Sequence, residues 1–233
     1  MAGAQEAKTE ILVLHLGLER PANEPCFLRP ARRSTVRKFA LVLTLVCVAV
    51  SAQATTIFSD GFNLANPPST LIEVDNGGTI GPWTVGGNSV DWIFVPYWQS
   101  AEGNGSIDMS GVAAGSLSTT LSTVAGQTYI LSFYLAGNMD FGNIVKSLQV
   151  QVGSLNQTFT FDTTGHNHAS MGWVLESASF TATGNDTLTF TSLEQNAWGP
   201  ALDGVTVSDI PEPPTYAFAL LGLAGVGLFR RRR

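Results

Sequence analysis

The chain has 233 residues with a formal net charge of −6, and 44% of its residues are hydrophobic. The charge is unevenly spread, because residues 55–209 contain 13 acidic side chains and one basic side chain, Lys146, for a net charge of −12. A surface this acidic repels phosphate backbones, so the composition excludes nucleic acid as a partner. Both cysteines, Cys26 and Cys47, precede this segment, so it must fold without a disulfide.

The N-terminal part of the chain shows the pattern of a secretory signal. Residues 37–38 are basic, residues 39–50 form an apolar run, and Ala52 and Ala54 give the small-x-small pattern of a cleavage site. We therefore predict a signal peptide over residues 36–54 and export across the inner membrane.

Residues 1–35 fit poorly in front of such a signal, since they are charged and contain three prolines. We predict that translation starts at Val36, from an alternative start codon, or that this extension is disordered. Detection of any peptide from residues 1–35 in the cell would contradict the start at Val36.

Residues 55–209 are expected to form one domain with the periodicity of β-strands. Short apolar runs or strict apolar–polar alternation occur in five segments, 129–135, 148–152, 158–161, 187–191 and 205–207. Clusters of Gly, Asn, Asp and Ser separate these segments, and none of the domain has the pattern of an amphipathic helix. The sequence thus predicts an all-β fold, an antiparallel β-sandwich or jelly roll.

Aromatic residues after Pro96 are the main candidates for a binding site. Tyr97 and Trp98 fall in a predicted loop, and flat aromatic faces can stack on sugar rings while amides and carboxylates bond the hydroxyl groups. We predict a carbohydrate-binding surface formed by Tyr97, Trp98, Gln99, Asn104 and Asp108. The alternative is that these aromatic side chains fill the core of a small sandwich.

Patterns that would indicate catalysis are weaker. His166 and His168 are separated by one residue and could begin a metal site, but a third ligand at suitable spacing is missing, and Gly165 with Asn167 favours a loop. The 13 acidic residues also permit the opposed carboxylates of a glycosidase, which spacing along the sequence cannot establish.

The order of several motifs in residues 55–209 is similar to that of a known family. The matching segments are 81–83 (GPW), 89–93 (SVDWI), 97–99 (YWQ), 102–111 (EGNGSIDMSG), 125–129 (AGQTY), 131–138 (LSFYLAGN), 159–165 (FTFDTTG), 171–173 (MGW) and 199–205 (GPALDGV). They resemble the choice-of-anchor C family, a bacterial relative of the DUF642 proteins of plant cell walls. The resemblance implies a galactose-binding-like β-sandwich that is secreted, surface-associated and carbohydrate-binding, without a demonstrated reaction.

The same resemblance implies a structural calcium as cofactor. In related jelly rolls an acidic residue near the first strand and an aspartate before the last strand help to hold the ion. Asp203 matches the second position, whereas Asn63 stands where family members commonly carry a glutamate. Calcium takes six to eight oxygen ligands, several of them carboxylates. Asp203 and Asn63 are thus the predicted ligands, the alternative being that Asp203 is a turn aspartate bonded to its own backbone.

The C-terminal segment, residues 210–233, has three parts in a fixed order. Pro211, Glu212 and Pro213 come first, then the apolar run 216–229, and last Arg230, Arg231, Arg232 and Arg233. As a helix the run would span about 21 Å, with the arginines held on the cytoplasmic side. This order resembles the PEP-CTERM sorting signal of Gram-negative, exopolysaccharide-producing bacteria. The resemblance implies transient anchoring in the inner membrane and processing by an exosortase; the alternative is an anchor helix that is never cut.

Three functions remain open at this point. The first is a non-catalytic protein that binds exopolysaccharide or another envelope glycan and ends at the cell surface or in the extracellular matrix of a Gram-negative bacterium. The second is a glycoside-active enzyme on a jelly-roll scaffold. The third is a structural or adhesion protein of the matrix. We predict the first, because fold alone does not fix function and no complete catalytic pattern is present.

Overall fold

The computed structural model describes residues 53–210 of the chain. Several predictions lie outside these residues. They are the extension 1–35, the signal peptide with Ala52, the sorting motif of Pro211, Glu212 and Pro213, the membrane-spanning run, and the arginines Arg230, Arg231, Arg232 and Arg233. Within residues 53–210 no helix has the length and apolar character needed to cross a membrane.

The described part of the chain is built from thirteen strands. Their bounds are β1 Thr56–Asp60, β2 Leu71–Asp75, β3 Thr79–Ile80, β4 Trp83–Gly87, β5 Ser89–Phe94, β6 Gly105–Asp108, β7 Gly115–Thr120, β8 Thr128–Gly137, β9 Val145–Val152, β10 Leu155–Asp162, β11 Val174–Thr181, β12 Thr187–Ser192 and β13 Pro200–Asp209. All five segments predicted from periodicity lie within strands, namely β8, β9, β10, β12 and β13.

The strands pair into two antiparallel sheets that pack face to face. One sheet has the order β11-β8-β13-β6-β5-β2, with β1 also paired to β13, and the other has the order β10-β9-β12-β7-β4-β3. Many of the neighbours are distant in sequence, as in a jelly roll. The predicted all-β antiparallel sandwich is therefore confirmed.

The core lies between the sheets and follows from the alternation of side chains along each strand. In β12, Leu188 and Phe190 are buried between outward-facing threonines. Phe190 packs edge-on against Phe133 of β8, with ring centroids 5.2 Å apart, and lies 5.9 Å from Trp83 of β4. Burying a side chain of this kind stabilises the fold by about 1.5–3 kcal/mol. A core of this size can hold the sandwich together without a disulfide.

Strand β13 changes partners halfway along its length. Ala201 and Leu202 pair with β6, and the later part of the strand, from Val205 to Ser208, pairs with β1. The pairing with β8 shifts register between Asp203 and Thr206, at Gly204, which has a φ of +55°. A side chain at Gly204 would also come within 2.7 Å of the Tyr134 ring. Glycine thus permits this bulge, which sets the position of Asp203.

Candidate functional site

Three loops of the sandwich meet around His168: the β5–β6 loop (95–104), the β8–β9 loop (138–144) and the β10–β11 loop (163–173). Gln99 joins the first loop to the third. Its backbone N–H donates to the His168 carbonyl at 2.8 Å, and its own carbonyl accepts from Trp173 Nε1 at 2.8 Å. Its side-chain Oε1 accepts from the Met171 N–H at 3.2 Å. The two loops are therefore held in one arrangement.

The side chains of Tyr97, Asp140 and His168, one from each loop, form what we call the Tyr97–Asp140–His168 cluster. The Tyr97 hydroxyl donates to Asp140 Oδ2 at 3.2 Å. His168 Nε2 lies 2.9 Å from Asp140 Oδ1, an ion-pair distance, although the ring N–H is not aligned for a hydrogen bond. The Tyr97 and His168 rings lie 5.1 Å apart at 33°. About a third of each of the Asp140 and His168 side chains is exposed, at 32% and 34%.

The electrostatics of the cluster keep the tyrosine protonated. Burial raises the pKa of Tyr97, and the negative charges of Asp140, Asp108 and Asp91 raise it further, together with the hydrogen bond to Asp140. The phenol therefore remains a hydrogen-bond donor at all ordinary pH values. The donor end of Tyr97 is directed at Asp140, and its ring is left to contact a ligand.

Two hollows open on either side of this cluster, and His168 lines both. The first, of about 530 Å³, lies between the β8–β9 and β10–β11 loops and includes Asp140, Ile144 and His166. The second, of about 480 Å³, lies along the β5–β6 loop and includes Pro96, Tyr97 and Gln99. The two hollows thus share His168, with the Tyr97 ring in the lining of the second.

Of the five residues predicted to contact a sugar, three lie in exposed or half-buried loop positions. Tyr97 and Gln99 line the second hollow. The Asn104 side chain binds the backbone of Leu64: its Nδ2 donates to the Leu64 carbonyl at 2.8 Å, and its Oδ1 accepts from the Leu64 N–H at 3.3 Å. It ties the loop after β1 to the β5–β6 loop, so its amide is already engaged.

Trp98 and Asp108, the other two predicted residues, are buried. Trp98 is 1% exposed and its Nε1 donates to Ser106 Oγ at 2.7 Å, so it belongs to the core. Asp108 is also 1% exposed. In the β5–β6 loop Trp98 turns into the core while its neighbour Tyr97 stays half-buried, although Trp98 still borders the second hollow, and Asp108 ends β6 beneath covering loops.

Asp108 instead organises the loops that cover it. Its Oδ2 accepts from Asn138 Nδ2 at 2.7 Å, and its Oδ1 accepts from the N–H groups of Ser110 and Gly199, both at 3.0 Å. Burial raises the pKa of Asp108 to about 7 against the opposing effect of these hydrogen bonds. Since Asn138 Oδ1 in turn accepts from the Asp140 N–H at 2.9 Å, the network extends to the cluster.

Lys146 supports the same loops from inside the protein. Although it is a lysine, its side chain is fully buried, and its Nζ donates to the carbonyls of Phe141 at 2.9 Å and Trp198 at 2.8 Å. Burial lowers the pKa of Lys146, while Glu194, Asp108 and Asp140 act to raise it. The ammonium thereby fixes the β8–β9 loop, which carries Asp140, to the loop before β13.

The residues predicted to bind calcium have other partners. Asp203 is fully buried, its Oδ2 accepts from the N–H groups of Ala101 at 2.8 Å and Glu102 at 2.9 Å, and its Oδ1 accepts from Gly204 at 2.7 Å. Asn63 Oδ1 accepts from the Asn104 N–H at 2.6 Å. Burial raises the pKa of Asp203 to about 7, which disfavours the charged form that a cation needs.

This arrangement fits a structural aspartate better than a calcium ligand, because the groups that converge on Asp203 are N–H donors rather than oxygens. Within residues 53–210 no group of three or more His, Cys, Asp or Glu side chains is placed to hold a metal ion. The bound calcium itself stays a prediction.

His166 and His168 lie in the β10–β11 loop, as the neighbouring Gly165 and Asn167 predicted. His166 stacks against Phe161, with centroids 5.3 Å apart, whereas His168 pairs with Asp140. A side chain at Gly172 would come within 2.1 Å of the His166 ring, so glycine is required beside it. The two imidazoles therefore have separate surroundings rather than a shared ligand set.

Acidic residues do face one another, but not across a cleft. Asp91 of β5 lies opposite Asp108 of β6 and opposite Glu73 of β2, so the three stand on adjacent strands of one sheet face. Burial, with a contribution from Glu73, raises the pKa of Asp91 to about 6. A glycosidase needs its carboxylates on either side of a bound sugar. Asp108 is buried, and the two hollows at the cluster include a single carboxylate, Asp140.

Sequence reasoning missed Asp140 as a site residue and considered His168 only as a metal ligand. Both are far from Tyr97 along the chain, at separations of 43 and 71 residues. A partial signal was available, because Asn138 and Asp140 directly follow the long predicted strand 129–135, where loop residues carry function.

Comparison with known proteins supplies three findings. Residues 209–233 match the PEP-CTERM protein-sorting motif, which marks the chain as exported and surface-associated. The chain is also 29% identical over 196 residues to Halomucin of Haloquadratum walsbyi; the match covers 75% of this chain and 2% of that protein.

Among solved structures, the CBM22-1 xylan-binding domain of Paenibacillus barcinonensis Xyn10C has a TM-score of 0.44 and 16% identity, over 70% of this chain and 99% of that one. TmCBM61, solved with β-1,4-galactotriose, has a TM-score of 0.41 and 19% identity, over 56% of this chain and 89% of that one. Likenesses this distant carry no argument about function.

Beyond these three findings, a family model matches most of the described domain. Residues 58–208 match the family model described as "Protein of unknown function (DUF642)". The match begins within β1 and ends at the next-to-last residue of β13. This match contains all three loops that meet at His168. The chain belongs to the DUF642 family.

Proposed function

We propose that this exported protein is a non-catalytic polysaccharide-binding protein and that the Tyr97–Asp140–His168 cluster is its binding surface. The observation that carries the proposal is the pair of hollows of about 530 and 480 Å³ that share His168, with the Asp140 carboxylate lining the first and the Tyr97 ring lining the second. A concave surface that combines aromatic faces with convergent polar groups is the usual form of a small-ligand site.

The chemistry of the cluster suits sugars. The Tyr97 and His168 rings, tilted by 33°, give apolar surface against which the C–H face of a pyranose can pack. The half-exposed Asp140 carboxylate has acceptor capacity beyond its contacts with Tyr97 and His168, so it can take hydrogen bonds from sugar hydroxyls. Because His168 lines both hollows, we expect an internal stretch of a chain to occupy both.

The absence of catalysis is part of the proposal. The cluster includes one carboxylate, Asp108 is buried, and Asp91 is half-buried and lines neither hollow. The single carboxylate is held by Tyr97 and His168, so no second acid stands across the hollow to protonate a leaving group. Binding alone is what these residues can perform.

The sorting motif gives the location of this activity. We infer that the chain is held briefly in the inner membrane, processed by an exosortase, and left at the surface or in the matrix of a Gram-negative cell. Its ligand is then exopolysaccharide or another envelope glycan. The match of residues 209–233 to the sorting motif supports this route.

The test is binding of the full chain to a glycan array and to the exopolysaccharide of the producing cells. We expect Tyr97→Ala and His168→Ala each to weaken binding at least about tenfold, as loss of a central aromatic contact does. Thr84→Ala is the matched control, since Thr84 lies in a third hollow of about 400 Å³ that contains no aromatic residue. Binding unchanged by both site variants would refute this placement of the site. A folded chain that binds no glycan would favour a structural or adhesion role.

A further inference from the structure

The charge of the domain restricts which polysaccharides can occupy this surface. Residues 53–210 contain 13 acidic side chains and no arginine, and Lys146 is their one lysine. Proteins that bind acidic glycans do so through exposed lysine and arginine, which pair with carboxylate and sulfate groups. Whether this domain can do the same depends on where Lys146 lies.

Lys146 is not available to a ligand. Its side chain is fully buried, and its Nζ is 2.9 Å from the Phe141 carbonyl and 2.8 Å from the Trp198 carbonyl. The ammonium therefore binds groups inside the protein, and the buried Glu194 and Asp108 carboxyl groups interact with its positive charge. The surface that the solvent sees in this domain has no permanent cation.

The binding surface itself carries negative charge. Asp140 lines the first hollow, its Oδ2 is 3.2 Å from the Tyr97 hydroxyl, and the negative charges of Asp140, Asp108 and Asp91 raise the pKa of Tyr97. The groups that could become cationic there are His166 and His168. His168 already faces Asp140 at 2.9 Å, and His166 is stacked on Phe161.

We propose that the polysaccharide bound at the Tyr97–Asp140–His168 cluster is uncharged, and that glycans bearing carboxylate or sulfate groups are excluded by repulsion. This inference rests on the proposed function. An acidic chain would bring a row of like charges against a domain of net charge −12 without one exposed ammonium or guanidinium to offset them. A neutral glycan meets no such barrier and uses only ring stacking and hydroxyl hydrogen bonds.

The experiment compares glycans that differ only in charge. Binding of the full chain is measured, with a chelator present, to β-1,4-galactan, xylan and β-1,3-glucan, and to the carboxymethylated and hydroxyethylated forms of each. The hydroxyethyl group is neutral and of similar size, so it controls for bulk. We expect carboxymethylation to weaken binding at least about tenfold at about 20 mM salt, with a much smaller difference at about 0.5 M, where screening shortens the range of repulsion.

A pair of variants tests the same point from the protein side. Thr164→Lys places an ammonium at the exposed rim of the first hollow, and Thr84→Lys places the same charge in the third hollow. We expect Thr164→Lys to recover binding of the carboxymethylated glycan at low salt by about threefold or more, and Thr84→Lys to recover much less.

The outcomes separate the two proposals. Binding of neutral and hydroxyethylated glycans with rejection of the carboxymethylated form supports the inference. Equal or tighter binding of the carboxymethylated form at low salt overturns it, and so does equal rejection of the hydroxyethylated form. If no glycan of either kind binds to the folded chain, the proposed function has failed and this inference falls with it.

Discussion

The buried polar groups of this domain and the polar groups of the Tyr97–Asp140–His168 cluster differ in where their bonding capacity is used. Asp108, Asp203 and Lys146 are at most 1% exposed, and their polar atoms are engaged by backbone or side-chain groups. Asp140 and His168 are about one-third exposed, at 32% and 34%, and keep capacity for a ligand. The difference indicates that the buried charged residues hold the loops in place, whereas the partly exposed ones lie on the surface proposed for binding.

The sharpest contrast is between two adjacent aromatic residues. Trp98→Ala should lower the free energy of unfolding by about 3–5 kcal/mol, because it leaves a cavity in the core. Tyr97→Ala should lower it by about 1 kcal/mol or less, since Tyr97 is half-buried in a loop. Denaturant titration followed by circular dichroism measures both. Equal losses of stability would break the distinction between a core tryptophan and a ligand-facing tyrosine.

Asp203 should behave as a structural residue. Asp203→Ala removes the acceptor of three N–H groups, those of Ala101, Glu102 and Gly204, and should destabilise the fold by about 3 kcal/mol. Asp75→Ala serves as the control, because Asp75 is exposed and should change stability by about 0.5 kcal/mol at most. Thermal and denaturant unfolding give both values. A small effect at Asp203 would mean that the β5–β6 loop is held by other contacts.

The buried carboxyl groups should make stability depend on pH. Burial raises the pKa of Asp108 and of Asp203 to about 7 in the folded protein, from an ordinary value near 3.8. Between these values the unfolded chain has lost the proton while the folded chain keeps it, so stability falls as pH rises from about 4 to about 7 and then levels off.

The size of this pH effect is on the order of 2 kcal/mol per group between about pH 5 and pH 7, since one pKa unit corresponds to about 1.4 kcal/mol. Asp108→Asn should remove the contribution of Asp108 to the pH dependence of stability, and Asp75→Asn should leave that dependence unchanged. Unfolding free energies measured across this range would show it. A stability that rises over the same interval would indicate that the N–H donors around Asp108 outweigh its burial.

The smallest expected effect concerns calcium. The carboxylate oxygens of Asp203 already accept hydrogen bonds from N–H groups, and Asn63 Oδ1 accepts one from the Asn104 N–H. Adding chelator or millimolar calcium should therefore shift the midpoint of thermal unfolding by less than about 1 °C. A bound structural calcium would instead stabilise by several kcal/mol at saturation, or many degrees. Differential scanning calorimetry separates these results, and a large shift would restore Asp203 as an ion ligand.

The fold was readable from local patterns. Segments such as 187–191 alternate threonine with leucine and phenylalanine, and a period of two places every apolar residue on one face whatever the neighbours are. Some of the strands that periodicity did not reveal are short, such as β3 with two residues, or covered on both faces. In β6, for example, all four residues from Gly105 to Asp108 are buried, so no alternation marks the strand.

The site was readable only in part. The sequence singled out the loop after Pro96 for its aromatic residues, but it could not say which of Tyr97 and Trp98 is more exposed. That choice depends on β5 and on the β10–β11 loop, which packs His168 against Tyr97 at 5.1 Å. Nor could it join Tyr97 to Asp140, since they lie 43 residues apart in two different loops.

The sequence by itself determined the acidic charge, the lack of a disulfide and the antiparallel sandwich, because each depends on composition or on periodicity within a few residues. Only the tertiary structure decided that Lys146 is buried, that Asp203 holds a loop, and that Tyr97, Asp140 and His168 come together. The physical reason is that hydrogen bonds and burial depend on which distant segments meet in space. The long-range pairing of strands and the packing of the two sheets decide this, and a pattern within a few residues does not reveal it.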